Sequence, residues 1–159
     1  MKCFLKIILC LLCSSIAMGC TQEGSVLHDT KGNPISTAEL KGKWVIINYW
    51  ADWCESCVKE IPELNHFYQN NHDKNIVLLG VNYDRMPMSD LQIAIHKTHI
   101  AYPVILEDPA ATWALNDIEA LPVTFIIDPQ GKVVKKILGA NTEQSLLAAM
   151  QQCYKIKKA

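Results

Sequence analysis

The sequence predicts an α/β fold: a central mixed β-sheet flanked by helices, preceded by an N-terminal hairpin and carrying a central helix–strand insertion. Three observations predict it. The runs WVIINYW (Trp44 to Trp50) and NIVLLGVNY (Asn75 to Tyr83) are continuously apolar, β-branched or aromatic, as in strands buried on both faces. A segment with apolar residues at helical spacing lies between them, which gives the alternation of a parallel core. Near the C-terminus two further strand-like runs flank Asp-Pro-Gln-Gly, so a hairpin adds an antiparallel edge.

The chain of 159 residues has room for one domain with a real core. Half its residues are apolar and 19% are charged, ordinary values for a globular protein. The formal charge of −1 gives no electrostatic reason to expect nucleic acid.

The first nineteen residues are expected to lie outside the fold. Lys2 and Lys6 form a positive start, Ile7 to Cys13 is apolar, and small residues lead to Gly19-Cys20. That is the layout of a signal peptide, and the apolar run falls short of the ~20 residues of a membrane span. IAMGC resembles a bacterial lipoprotein box, with Ala17 where leucine is usual, which implies cleavage before Cys20 and its lipidation. The mature chain then faces an oxidising, extracytoplasmic compartment. It loses two lysines and no acid, for a formal charge of −3. Cys3, Cys10 and Cys13 go with the leader, so Cys54, Cys57 and Cys153 remain beside Cys20.

Residues 20–25 read as a tether and 26–159 as the domain. Val26 to His28 and Pro34 to Ser36 form a short hairpin around Lys31-Gly32-Asn33. TAELKGK gives a brief helical turn ending at Gly42, and then comes the strand Trp44 to Trp50. Val58, Ile61, Leu64 and Phe67 recur at helical spacing, which predicts a helix from near Cys54 to about Asn70, kinked at Pro62. After the second strand, Ser89 is placed to cap a helix from Asp90 to about Thr98. YPVILED predicts a short third strand and PAATWALND a short helix. Val123 to Asp128, the turn PQGK and VVKKIL form the hairpin. The last helix starts at a Thr142 cap and runs to about Tyr154, with Leu146, Leu147 and Met150 on one face; KIKKA is a basic, solvated tail.

The chemistry concentrates in YWADWCESCVKEIP, Tyr49 to Pro62. Cys54 and Cys57 lie where a buried strand hands over to a helix. At a helix N-terminus, free N–H groups and the positive dipole end stabilise a thiolate. Cys54 is therefore the exposed nucleophile, and Cys57, one turn further in, the buried resolving thiol. A structural zinc site needs four ligands, usually with a second Cys or His pair. His96 and His99 share a predicted helix but nothing converges on them, and no metal is expected. A permanent staple over so short a loop removes little unfolded-state entropy. A reversible redox pair suits this spacing best.

NYWADWCESCVKEIP resembles the active site of the thioredoxin superfamily, and specifically of its membrane-tethered TlpA/ResA-like branch. LKGKWVIINYWADWC is similar to that branch's lead-in strand and LPVTFIIDPQGKVV to its second signature. The resemblance spans roughly residues 26–155 and implies a thioredoxin-like fold. It implies Cys54 as the attacking cysteine, Cys57 as the resolving one, Pro122 as the cis-proline facing the disulfide, and Glu60 as the group that tunes the cysteines and moves protons. A buried thiol such as Cys57 needs a base nearby to ionise. Trp53, Glu55, Ser56 and Leu121 would meet the substrate. Asn48 stands where cytosolic thioredoxins usually carry a buried aspartate, which shifts proton handling toward Glu60 or water. Asp52 and Glu55 beside Cys54 disfavour its thiolate and so argue for a reducing couple. Trp50 reads as core, and Cys153 as a small buried hydrophobe.

The expected activity is that of an extracytoplasmic thiol–disulfide oxidoreductase acting as a reductant on protein disulfides. It needs no cofactor beyond the Cys54–Cys57 disulfide. By the same resemblance, electrons come from a membrane thiol donor of the DsbD/CcdA kind, and the periplasm or cell-envelope exterior is the location, with a lipid anchor at Cys20. A dedicated cytochrome c maturation reductant, acting on apocytochrome c, is an alternative on a faint likeness at GVNYD, Gly80 to Asp84. A copper-binding chaperone on the same fold is the alternative of a different class; such proteins use a wider cysteine spacing and a distant histidine.

Overall fold

The computed structural model describes residues 24–158 except 73 and 117, with side chains to Lys155. The expected leader, Cys20 and most of the tether fall outside the described residues. The sheet is built on β3 (Trp44–Trp50), whose seven residues are almost wholly buried. Beside it, parallel, lies β4 (Ile76–Asn82), and beyond that the short parallel β5 (Val104–Ile105). On the other side β6 (Val123–Ile127) pairs antiparallel with β3, and β7 (Val133–Leu138) with β6. The order β5-β4-β3-β6-β7 is the mixed sheet of a thioredoxin-like fold.

Strand alternation divides the core into two faces. Val45, Ile47 and Tyr49 of β3 point to one face, with Leu79, Val81, Phe125 and Ile127. The N-terminal hairpin, β1 (Val26–His28) and β2 (Pro34–Ser36), covers that face through Leu27, and the short helix α3 (Ala110–Trp113) packs there too. The opposite face carries Ile46, Leu78 and Ile126 under α1 (Glu55–Asn71) and α4 (Glu143–Lys158). Its upper part, with Trp50, Cys54 and Cys57, packs on α2 (Met88–Thr98). The hairpin also ties to the sheet edge, since Thr30 N–H donates to the Val104 carbonyl (2.9 Å) and Leu106 N–H to the His28 carbonyl (2.9 Å).

Several local expectations need correction. Ser89 caps nothing: α2 begins at Met88 after Pro87, which supplies no side-chain cap, and the Ser89 hydroxyl turns to Asp90 instead. The pre-set φ of proline opens this helix without a polar cap. His99 is not a helix position but the left-handed C-cap of α2 (φ 58°). α1, by contrast, runs through Pro62 to Asn71, within a residue of the expected end. α4 runs on through the basic segment to Lys158, and its start is reciprocally capped, with Ser145 N–H donating to Thr142 Oγ1 (3.1 Å) and Thr142 N–H to Ser145 Oγ (2.9 Å). In the β6–β7 turn Asp128 Oδ1 accepts from Gln130 and Lys132 N–H, and Gly131 takes the positive φ (82°) the turn requires.

Candidate active site

The site forms at the C-terminal end of β3, where Ala51 to Trp53 leave the sheet and α1 begins. Cys54 is the N-cap of α1: its backbone is extended, and its Sγ accepts from Cys57 N–H at 3.2 Å. The two sulfurs are bonded, with Cα atoms 5.2 Å apart. Cys57 has no exposed surface. Cys54, expected to be exposed, is only 7% accessible, because it packs into the cluster of Trp50, Ala51 and Leu91. The asymmetry between the two cysteines is as expected, but the outer sulfur offers only a narrow window. Ser56 Oγ lies 3.5 Å from Cys54 Sγ.

The Leu121–Pro122 bond is cis and Pro122 is buried. The Pro122 carbonyl is occupied by Gly139 N–H (2.9 Å). A groove of about 610 Å³ opens over Cys54, with Trp53, Glu55, Ser56 and Lys59 on one bank and Ala120 and Leu121 on the other. All four side chains that the sequence suggests for substrate contact are thus brought to one groove. Trp53 is 65% exposed, yet its indole N–H is held by Asp84 Oδ2 at 2.7 Å. Trp50, by contrast, is fully buried core.

The acids next to Cys54 are not bare. Glu55 pairs with Lys59 (2.6 Å), one turn along α1, and Asp52 with Lys97 of α2 (3.8 Å). The Glu55–Lys59 pair is exposed and Lys97 reaches the half-buried Asp52 from solvent, so water screens both pairs, and each lysine offsets the field its partner sets at Cys54. The reducing poise argued from these two acids therefore has weak support in the geometry.

Glu60 is different. It is 2% exposed, one turn after Cys57 on the inner side of α1. Asn48 Nδ2 of β3 donates to its Oε1 (2.7 Å), and Asn141 N–H, just before α4, donates to its Oε2 (2.8 Å). Burial pushes its carboxyl up to about 7, against the opposing pull of the Asn141 and Asn48 donors. Asn48 Nδ2 also reaches Thr124 Oγ1 (3.1 Å), which accepts from Asn141 Nδ2 as well (3.2 Å). Asn141 and Thr124 are additions to the sequence reading. Thr124 had a signal, being the one polar residue in VTFII; Asn141 lies 81 residues from Glu60 and had none.

Among the described residues no group of three or more His, Cys, Asp or Glu side chains is placed to hold a metal ion, and no helix is long and apolar enough to cross a membrane. Cys153 is half-buried and unbonded on α4.

A model of the AhpC/TSA family matches residues 18–136. Thiol-disulfide oxidoreductase ResA of Bacillus subtilis (strain 168) is 35% identical over 136 residues, which are 83% of this chain and 73% of the relative. A ResA of Bacillus cereus is 30% identical over 127 residues, 80% of this chain and 73% of its own length. Among solved structures, a thiol:disulfide interchange protein of the thioredoxin family from Chlorobium tepidum TLS gives a TM-score of 0.69 at 25% identity, over 82% of this chain and 93% of that one. StoA from Bacillus subtilis shares the fold, with a TM-score of 0.65 at 23% identity over 77% of this chain and 92% of its own. The chain belongs to the AhpC/TSA family and, with its disulfide at the head of α1, to the ResA-like thiol–disulfide oxidoreductases of thioredoxin fold.

Proposed function

We propose that the protein is an extracytoplasmic reductant of protein disulfides, with Cys54 as nucleophile, Cys57 as resolving thiol and Glu60 as the proton acceptor for Cys57. The observation that carries this reading is a fully buried Cys57 one helical turn from a buried carboxyl that keeps its proton up to about pH 7. In the reduced enzyme the Cys54 thiolate attacks one sulfur of a substrate disulfide. A mixed disulfide forms, and the departing substrate thiolate takes a proton. Cys57 then gives its proton to the Glu60 carboxylate, and its thiolate attacks Cys54 Sγ, breaking the mixed disulfide and expelling the second substrate thiolate, which takes up a proton as Glu60 gives its own back. Two electrons and two protons pass to the substrate, and the disulfide remains on the enzyme, so no organic cofactor is required.

The reducing direction rests on burial. Burial disfavours a thiolate at Cys57, so the reduced state lacks the thiolate stabilisation that makes a couple oxidising. The leader layout and the lipoprotein-like IAMGC support the extracytoplasmic location and anchoring through Cys20, and the ResA resemblance supports rereduction by a membrane thiol donor of the DsbD/CcdA kind. Two measurements test this. Equilibration with a thiol buffer should give a potential nearer the thioredoxin value of about −270 mV than the DsbA value of about −120 mV; a value near the latter would reverse the assigned direction. A Cys57→Ser variant should accumulate mixed disulfides on Cys54. Recovery of apocytochrome c alone narrows the role to cytochrome maturation, and recovery of many secreted proteins broadens it. An inert Cys54 that traps nothing removes the enzymatic reading.

A further inference from the structure

The groups that touch the Glu60 carboxyl are hydrogen donors, Asn48 Nδ2 on one oxygen and Asn141 N–H on the other. That set fits an ionised carboxylate, which only accepts. The role proposed above requires Glu60 to take up a proton, and this inference rests on that role. A protonated carboxyl gains an O–H that must find an acceptor, because a buried donor without a partner is costly. The Asn141 backbone cannot reverse its polarity. The Asn48 side chain can, because a half-turn of its amide exchanges oxygen for nitrogen with little change in shape.

Two observations make that exchange specific. Asn48 Oδ1 is buried and carries no hydrogen bond among the described residues, so turning the amide breaks no bond of the oxygen, and the two bonds that Nδ2 gives up to Glu60 and Thr124 are replaced by two that Oδ1 accepts from them. The second neighbour of Asn48 Nδ2 is a hydroxyl, Thr124 Oγ1, aligned with it across the β3–β6 pair at 3.1 Å. A hydroxyl accepts or donates by rotating about its own bond. With the amide turned, Asn48 Oδ1 accepts from protonated Glu60 and from Thr124, while Asn141 Nδ2 keeps Thr124 Oγ1 and the Gly139 carbonyl (3.3 Å) as acceptors. Among the described residues Tyr102, ahead of β5, feels the Glu60 charge; its hydroxyl is buried without a hydrogen-bond partner, and burial holds it above its ordinary value, so it stays protonated, while Cys57 lies three residues before Glu60 on α1.

We propose that Asn48 is a two-way positioning residue: its amide donates to Glu60 while the carboxyl is ionised and turns over to accept from it once Cys57 has passed its proton, with Thr124 changing from acceptor to donor. Aspartate at this position accepts only, and an aliphatic side chain supports neither state. At either charge Glu60 keeps a partner on each oxygen, and the unpaired end of the Asn48 amide changes from Oδ1 to Nδ2.

NMR of the oxidised, isotope-labelled protein tests this between pH 5 and 9. The Glu60 side-chain carboxyl carbon and the Asn48 Nδ2 protons should titrate together, with one midpoint near 7. In Glu60→Gln, which mimics the neutral acid, the Asn48 signals should stay at their low-pH positions throughout. Thr124→Val, nearly isosteric, should keep the fold but move the Glu60 midpoint and the pH midpoint of substrate turnover together by the same amount. Titration of Glu60 with fixed Asn48 signals, or a Thr124→Val midpoint equal to wild type, overturns the turnover of Asn48 but leaves Glu60 as proton partner. A Glu60 that does not titrate in this range, or a Glu60→Gln variant with an unaltered pH–rate profile, overturns both.

Discussion

Burial without a cation is what sets Glu60 apart from the other acids near the disulfide. Its carboxyl ionises near 4.5 in an unfolded chain and at about 7 in the folded one. Between those values the native state holds a proton that the unfolded state has lost. Stability from this group is therefore full below about pH 4.5 and declines as pH rises through 7, by roughly 3 kcal/mol in total. Glu60→Gln should flatten that decline and raise the urea midpoint at pH 8 relative to wild type, with little change at pH 4.5. Parallel pH profiles for the two proteins would show that the site does not carry this linkage. The sequence marked Glu60 through its spacing from Cys57, but its burial depends on Asn48, Thr124 and Asn141, which come from three separate elements. Local pattern does not encode that convergence. Asp52 and Glu55 looked equally important in sequence, since nothing local shows that Lys97 and Lys59 stand beside them.

At the level of elements, the apolar runs located the strands of the central sheet because both faces of that sheet are covered and leave no polar alternation to misread. Helix ends were less legible: α2 starts on a proline rather than a serine, and α4 extends into lysines whose solvation is compatible with helix. Gly80 in the middle of β4 would be a weak point in an isolated strand. Its neighbours explain it. A Cβ there would lie 2.9 Å from the Tyr102 ring, 3.2 Å from Val104 Cγ2 and 3.3 Å from the Trp50 indole nitrogen. Those groups are buried and cannot withdraw. Gly80→Ala should cost about 1–3 kcal/mol through this overpacking, measured as a lowered denaturant midpoint. An unchanged midpoint would mean that Tyr102, Val104 and Trp50 yield more easily than their burial implies.

Across the whole molecule, the sheet separates scaffold from chemistry. The face toward α1 carries Asn48, Glu60 and the cysteines, while the hairpin and α3 close the other face around Leu27, Tyr49 and Phe125. Leu27 is 3% exposed and belongs to the core cluster on the face away from α1. Leu27→Ala should cost about 2–5 kcal/mol yet leave disulfide turnover per folded molecule unchanged, when unfolding and turnover are measured on the same sample. Equal losses in both would mean that the two faces are coupled. This division was legible in sequence only in part: the hairpin was visible, but its attachment to β5 rests on long-range backbone bonds without a side-chain signature.

That attachment also decides how the molecule behaves in a crowd. A sheet with two bare margins invites strand-to-strand association with other chains. Here the β5 margin is already occupied by the hairpin through Thr30, His28 and the Asp29–Ile105 bridge. The remaining margin is β7, where Lys135 and Lys136 sit mid-strand as charged gatekeepers against lateral growth. Lateral recruitment of other chains into the sheet is thereby resisted at both margins, while the groove over Cys54 stays open.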